Sequence, residues 1–194
     1  LIEEAMLAAN VFSADFIAQA KHPALYRVHE GPTPEKKSVL QNYLKCLGLG
    51  LAISDDPHPS EYQAIAAATK DRVDAQQIHS MLLRSMQQAI YTGTNSGHFG
   101  LAYEAYTHFT SPIRRYPDLL VHRVIQALLM GRRYSIVTGG LEAASKARKP
   151  AHEEAWEGAG AHCSANERRA DEASRDVEAW LKCRYMREHL GEEF

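Results

Sequence analysis

The sequence predicts an α+β fold that is predominantly α-helical, and three observations carry that prediction. Apolar residues recur at three- and four-residue spacings through most of the chain. The runs are separated by Pro- and Gly-containing breaks that stop helices. One short stretch, ALYRVHE at 24–30, reads as extended, and no Asn-Gly or Asp-Gly turn is present to nucleate hairpins. A length of 194 residues suits one structural unit, and no internal repeat divides it.

The first helix is expected to run to about Lys21, with Ile2, Ala5, Met6, Ala9, Phe12, Phe16 and Ile17 on its apolar face and His22-Pro23 ending it. It starts inside its pattern, without a polar lead-in, and the expectation is therefore a polypeptide that began earlier. Thr33 and Pro34 read as N-cap and first position of a second helix, with Leu40, Tyr43, Leu44 and Leu47 inward and Gly48 and Gly50 as the stop. DDPHPSEYQ, 55–63, is a linker whose Ser60 and Gln63 suggest a capping box for a helix through about Ala68. A longer helix is expected from about Ala75 to Tyr91, before the turn-rich TGTNSGH.

Pro117 opens a helix with Leu119, Leu120, Val124, Ala127 and Leu128 facing inward and Gly131 ending it. SIVTGGLEAASKARKP, 135–150, is small and aperiodic and is expected to be a mobile surface connection. The last helix spans roughly 152–190. Its Ala159, Cys163, Asn166, Ala170, Ala173, Val177 and Trp180 form a narrow seam suited to close helix packing.

A formal charge of −2 rules out a whole-molecule field that draws nucleic acid or an anionic membrane, so any such attraction is local. Cys46, Cys163 and Cys183 are odd in number and far apart, as expected of reduced thiols in the cytoplasm. No apolar run reaches the ~18 residues of a membrane helix, and no signal-peptide pattern opens the chain.

Positive charge is concentrated between Thr110 and Arg133, where five arginines (114, 115, 123, 132 and 133) face one acid, Asp118. Pro112 and Pro117 hold Arg114 and Arg115 on a short, stiff loop at a helix start. A guanidinium fixed there suits a phosphate, because its planar fork donates two hydrogen bonds in set geometry and the helix N-terminus adds partial positive charge. The alternative, a surface pair bonded to carbonyls and to Asp118, has about even odds. Phe99, Tyr103, Tyr106, Phe109 and Tyr116 are mostly core by the same weighing, with one or two able to stack a base at ~1–3 kcal/mol. Glu3, Glu4 and Asn10, near one side of the first helix, read by default as a solvated face. Ten histidines include no HExxH and no tight metal-ligand cluster.

GHFGLAYEAYTHFTSPIRRYPDLLVHR resembles the region around the catalytic arginine of the ribonuclease II and ribonuclease R (RNB) family of processive 3′-to-5′ exoribonucleases. LIEEAMLAANV, HPALYRVHEGPTPEK and ERRADEASRDVEAWLKC are similar to the same proteins in the same order, so the resemblance covers essentially the whole chain. It implies that residues 1–190 are the later part of an RNB catalytic domain and that 191–194 begin a junction to an S1 domain. It also implies partners: the 3′ end of single-stranded RNA, and cold-shock, N-terminal RNB and S1 segments of the same polypeptide. The cofactor implied is Mg2+, held by aspartates upstream of Leu1, and no metal ligand is assigned in this chain.

By the same resemblance Arg114 is the catalytic arginine, neutralising charge that develops on the scissile phosphate. Glu3 is similar to a residue that contacts a terminal ribose. Asn10, Ser111, Arg115 and Tyr116 are expected at the RNA, with one residue of the last helix, Glu172 in preference to Glu167, and Ser174 as a further alternative for that position. The product class implied is nucleoside 5′-monophosphates. Two other readings stand beside this one: a helical RNA-binding or assembly module without catalysis, and, ranked lower, a helix-turn-helix DNA binder on residues 114–133, disfavoured because no short turn joins that helix to a partner.

Overall fold

The computed structural model describes residues 1–143 and 150–192. Its elements in chain order are α1 (Ile2–Gln19), β1 (Tyr26–Val28), α2 (Pro34–Cys46), α3 (Pro59–Ala68), α4 (Ala75–Ser85), β2 (Ile90–Thr92), a 3-10 turn (Phe99–Leu101), α5 (Tyr116–Leu129), β3 (Arg132–Ser135), β4 (Gly140–Ala143) and α6 (Pro150–Met186). The α+β class with helix predominant is thus observed.

Two cores organise these elements. In one, Ile17 of α1, Leu120, Val121, Val124 and Ala127 of α5, Tyr134 of β3 and Trp156 of α6 bury one another. In the other, Leu40 and Leu44 of α2 meet Tyr62 and Ile65 of α3 and Ile78 and Leu82 of α4, with Phe99 packed against them. Each fully buried large aliphatic contributes ~1.5–3 kcal/mol relative to exposure, and the expected inward residues Ile17, Leu40, Leu44, Leu120, Val124 and Ala127 lie in these cores. The antiparallel pair β1–β2, in register Tyr26↔Thr92 and Val28↔Ile90, packs against α6.

Several elements depart from expectation for identifiable reasons. Helix α1 buries Asn10, Ser13, Ala14 and Ile17, whereas Ile2, Met6 and Phe12 of the expected inward face are exposed. Ile17 of the expected face is buried, and Asn10 and Ser13 join it because their side chains are hydrogen-bonded. Helix α4 ends at Ser85 instead of Tyr91, because Ile90-Tyr91-Thr92, β-branched and aromatic, pairs with β1. The capping box of α3 lies two residues earlier than predicted: His58 accepts from the Ser60 amide, and the Glu61 carboxylate accepts from the His58 amide. The His58 amide, with the amide and the hydroxyl of Ser54, donates to the Glu61 carboxylate and holds its pKa down to about 2.

Residues 132–143 form a hairpin, Arg132↔Ala143 to Ser135↔Gly140, where a connection was expected. Gly139 supplies its left-handed turn residue at φ 65°. Residues 144–149 of that expected connection, and 193–194 of the expected S1 junction, lie outside the described residues. In α6 only the first half of the seam packs. From Arg168 onward every helical position is exposed, including Val177 and Trp180.

Candidate functional site

The segment that presents the paired arginines is laced to the body before it reaches them. The Asn10 amide nitrogen donates to the Tyr106 hydroxyl at 3.0 Å, and its oxygen accepts from the Phe109 amide at 2.9 Å. The Thr107 hydroxyl donates to the Leu25 carbonyl at 2.6 Å, and the Arg27 amide donates to the Tyr106 carbonyl at 2.9 Å. Phe109 stacks on His122 of α5, ring centroids 4.1 Å apart. These bonds tie residues 106–109 to α1, β1 and α5 at once, and the chain then turns at Ser111-Pro112.

The turn is closed by its own backbone. The amides of Arg114 and Arg115 donate to the Ser111 carbonyl at 3.3 and 3.1 Å. Asp118, fully buried in the first turn of α5, accepts from the Ser111 amide and from Arg115 Nη2 on the same oxygen, each at 2.8 Å. The second carboxylate oxygen of Asp118 and Nε of Arg115 have no protein partner among the described residues. Arg115 therefore meets the structural reading, a guanidinium bonded to Asp118. Arg114 does not: it is exposed, and its guanidinium makes no hydrogen bond or ion pair among the described residues.

Arg114, Arg115, Tyr116 and Pro117 form one wall of a cleft of ≈ 550 Å³. The opposite wall is α6, through His162, Cys163, Asn166, Glu167, Ala170 and Asp171, and Tyr91 of β2 closes the floor. The small seam residues thus border open space in place of a partner helix. Closer to its start, α6 rests on β2: Ser164 Oγ accepts from the Tyr91 amide at 2.8 Å, and a Cβ on Gly160 would lie 2.6 Å from the Tyr91 carbonyl oxygen. Only glycine lets the helix approach so closely.

Burial keeps Tyr91 and His108 at the floor uncharged. Burial pushes the Tyr91 hydroxyl up to about 12, with Arg27 opposing and Glu167 reinforcing. The hydroxyl bonds His108 Nδ1 at 2.8 Å. Burial, then the neighbouring Arg115 and Arg27, pushes His108 down to about 3, so this imidazole is neutral. Arg27 stacks over Tyr91, its guanidinium carbon 4.6 Å from the ring centroid, and donates to Glu167 at 2.6 Å. Cys163 on the far wall is pushed up by burial, then by Glu167, which disfavours its thiolate.

The residues singled out in the sequence fall into distinct places. Arg114, Arg115 and Tyr116 meet at the cleft, with Ser111 beneath them as the staple of the turn. Asn10 is 4% exposed with both ends of its amide used internally, so the expected solvated, RNA-facing position becomes a structural tie. Glu3 is exposed in the first turn of α1 and belongs to no lining of this cleft. The lining of α6 includes Glu167 and Asp171 and omits the exposed Glu172. Tyr91, Arg27 and His108 were not legible as site residues, because nothing in their local spacing tells that β1, β2 and 106–109 converge. Among the described residues no group of three or more His, Cys, Asp or Glu side chains is placed to hold a metal ion.

Residues 1–131 match the RNB domain family. Across its whole length the chain is 46% identical, over 198 aligned residues, to ribonuclease R of Vibrio cholerae, of which it covers 23%. It is similar in fold to the apo form of Mycoplasma genitalium RNase R, with a TM-score of 0.82 at 24% identity, covering 98% of this chain and 29% of that one. The same enzyme in complex with ribose methylated single-stranded RNA gives a TM-score of 0.77 at 23% identity, over 98% of this chain and 29% of that one. The chain spans about a quarter of the length of these relatives.

Proposed function

Because the chain belongs to the RNB family, we propose that it forms the arginine-bearing portion of a 3′-to-5′ exoribonuclease that hydrolyses single-stranded RNA processively to nucleoside 5′-monophosphates. The observation that carries this reading is the contrast within one dipeptide. Arg115 is spent on Asp118, whereas Arg114 stands exposed at a cleft beside a helix N-terminus, with its charge free for a phosphate.

In such a reaction water attacks phosphorus, the P–O3′ bond breaks and the leaving O3′ takes a proton, while negative charge builds on the non-bridging oxygens. Arg114 is the donor placed to meet that charge. A preorganised donor of this kind is worth ~10² to 10³ in rate. The described residues do not fit a magnesium site: the buried carboxylate nearest Arg114 in sequence, Asp118, is committed to Arg115 and to the Ser111 amide. The family resemblance assigns the Mg2+ ligands to aspartates upstream of Leu1, and the chain's own contribution is positional and electrostatic.

The remaining assignments follow the same reading. Residues 1–190 are the later part of the catalytic domain, followed by a junction to an S1 segment, in a cytoplasmic enzyme. Tyr116 offers an exposed ring at the cleft edge for stacking. Glu3 accepts from a 2′-hydroxyl, which separates RNA from DNA. Of the α6 carboxylates expected at the RNA, Glu167 lines the cleft and Glu172 lies outside it.

In the full-length protein, Arg114→Ala is expected to lower kcat on 5′-labelled single-stranded RNA by ~10² to 10³ with KM nearly unchanged. A raised KM with kcat intact would refute the assignment. Glu3→Ala is expected to reduce the preference for RNA over DNA, and equal loss on both substrates counts against its role.

A further inference from the structure

We propose that Arg27 is a positioning residue of the cleft that acts by cancelling the charge of Glu167, so that the wall facing Arg114 does not repel an incoming phosphate chain. The inference rests on the reading of the cleft as a single-stranded RNA site and assigns to Arg27 and Glu167 a joint role in it.

The geometry is specific. Arg27 Nη1 meets Glu167 Oε2 at 2.6 Å, across 140 residues of sequence. The Arg27 side chain is 15% exposed and that of Glu167 31%, so the arginine lies behind the wall and the carboxylate at its surface. Arg27 is not a lining residue of the cleft, whereas Glu167 is. Stacking on Tyr91 fixes the guanidinium plane, and β1–β2 pairing fixes the backbone beneath, with Arg27 opposite Tyr91. Arg27 is therefore built to address Glu167 rather than RNA.

The charge balance gives this arrangement a consequence. The charged groups lining the cleft are Arg114, Arg115, Glu167 and Asp171. Asp118 neutralises Arg115 from below, and Arg27 neutralises Glu167 from behind. What remains is Arg114 on one wall and the more exposed Asp171 on the other. Without Arg27, two uncompensated carboxylates would face one arginine, and the cleft would repel a polyanion at separations within the ~8–10 Å screening length of physiological salt. With Arg27, Glu167 keeps a fixed orientation and its charge is offset.

The test is equilibrium binding of a fluorescein-labelled 16-nucleotide oligo(A) RNA to the full-length protein and to three variants, Arg27→Met, Glu167→Gln and the double variant, at low and high salt, with Tm recorded for each. Arg27→Met is expected to weaken binding roughly 3- to 10-fold at low salt, with the deficit shrinking as salt rises. Glu167→Gln is expected to bind at least as tightly as wild type, and the double variant to return to within about twofold of wild type, because no carboxylate remains to be cancelled.

A double variant as weak as Arg27→Met overturns the proposal, since Arg27 would then act on RNA directly or through packing. Weakening by Glu167→Gln alone also overturns it. Should Arg27→Met not fold, Arg27→Lys and Glu167→Gln carry the test. The lysine keeps the charge and is expected to retain affinity, and loss there as well sinks the electrostatic role. Absence of RNA binding by wild type would overturn the RNA-site reading itself, whereas normal wild-type binding without an Arg27 effect removes this inference alone.

Discussion

The two walls of the cleft each carry an ion pair, and the pairs differ in kind. Arg115–Asp118 is local, three residues apart within the opening of α5, and its carboxylate is wholly buried. Arg27–Glu167 spans most of the chain and keeps its carboxylate at the surface. A fully buried pair is costly to break because the survivor is stranded without water, while a pair whose carboxylate reaches solvent costs less to break and acts more on the local field. The first pair therefore shapes the backbone that holds Arg114, and the second adjusts the charge that Arg114 faces.

The largest effect expected from breaking this contrast is at Asp118. Asp118→Ala strands Arg115 and removes the acceptor of the Ser111 amide, at a cost of ~3–5 kcal/mol in unfolding free energy measured by denaturant titration. A loss below ~1 kcal/mol would mean that the pair does not hold the turn. Asp118→Asn, which keeps an acceptor for the amide, is expected to fall between Asp118→Ala and wild type.

Two half-buried histidines respond to pH, His108 beneath Tyr91 and, away from the cleft, His98 packed edge-on against Tyr106. Burial holds His108 down to about 3, and burial with the nearby His29 holds His98 down to about 4, against ~6.5 in an unfolded chain. Between these values the unfolded chain binds protons that the folded chain does not. Stability is therefore complete above ~6.5 and falls as the pH drops toward 3–4, by at most about 1.4 kcal/mol per pH unit for each imidazole. His108→Gln is expected to flatten that acid slope in Tm measured between pH 6.5 and 4.5. An unchanged slope would remove His108 from the account.

The smallest effect is expected at Glu172, exposed and outside both walls. Glu172→Ala should alter single-stranded RNA affinity by less than about twofold, or ~0.4 kcal/mol, in a direct binding assay. A larger change would place RNA farther along α6 than the cleft.

How much of this was legible beforehand varies residue by residue. The stiff loop of Ser111-Pro112 and Tyr116-Pro117 could be read directly, because proline constrains its own φ and its predecessor whatever surrounds them. The start of α2 at Thr33-Pro34 followed for the same reason: a cap acts within three residues, and the Thr33 hydroxyl does accept from the Lys36 amide. The end of α4 was misplaced because Ile90–Thr92 is decided by its pairing with β1, more than 60 residues earlier.

The amino-acid sequence by itself determined that most of the chain is helical, the Thr33-Pro34 start of α2 and the crowding of positive charge near residue 114, since these depend on neighbours a few positions away. Only the tertiary structure decided which of two adjacent arginines was spent and which was free, which side of α1 was buried, and that a seam of small residues on α6 borders a cleft. Those outcomes depend on which distant groups meet, Asn10 with Tyr106, Arg27 with Glu167, Ser164 with Tyr91. A hydrogen bond or ion pair across 70 to 140 residues leaves no periodicity in the chain that makes it.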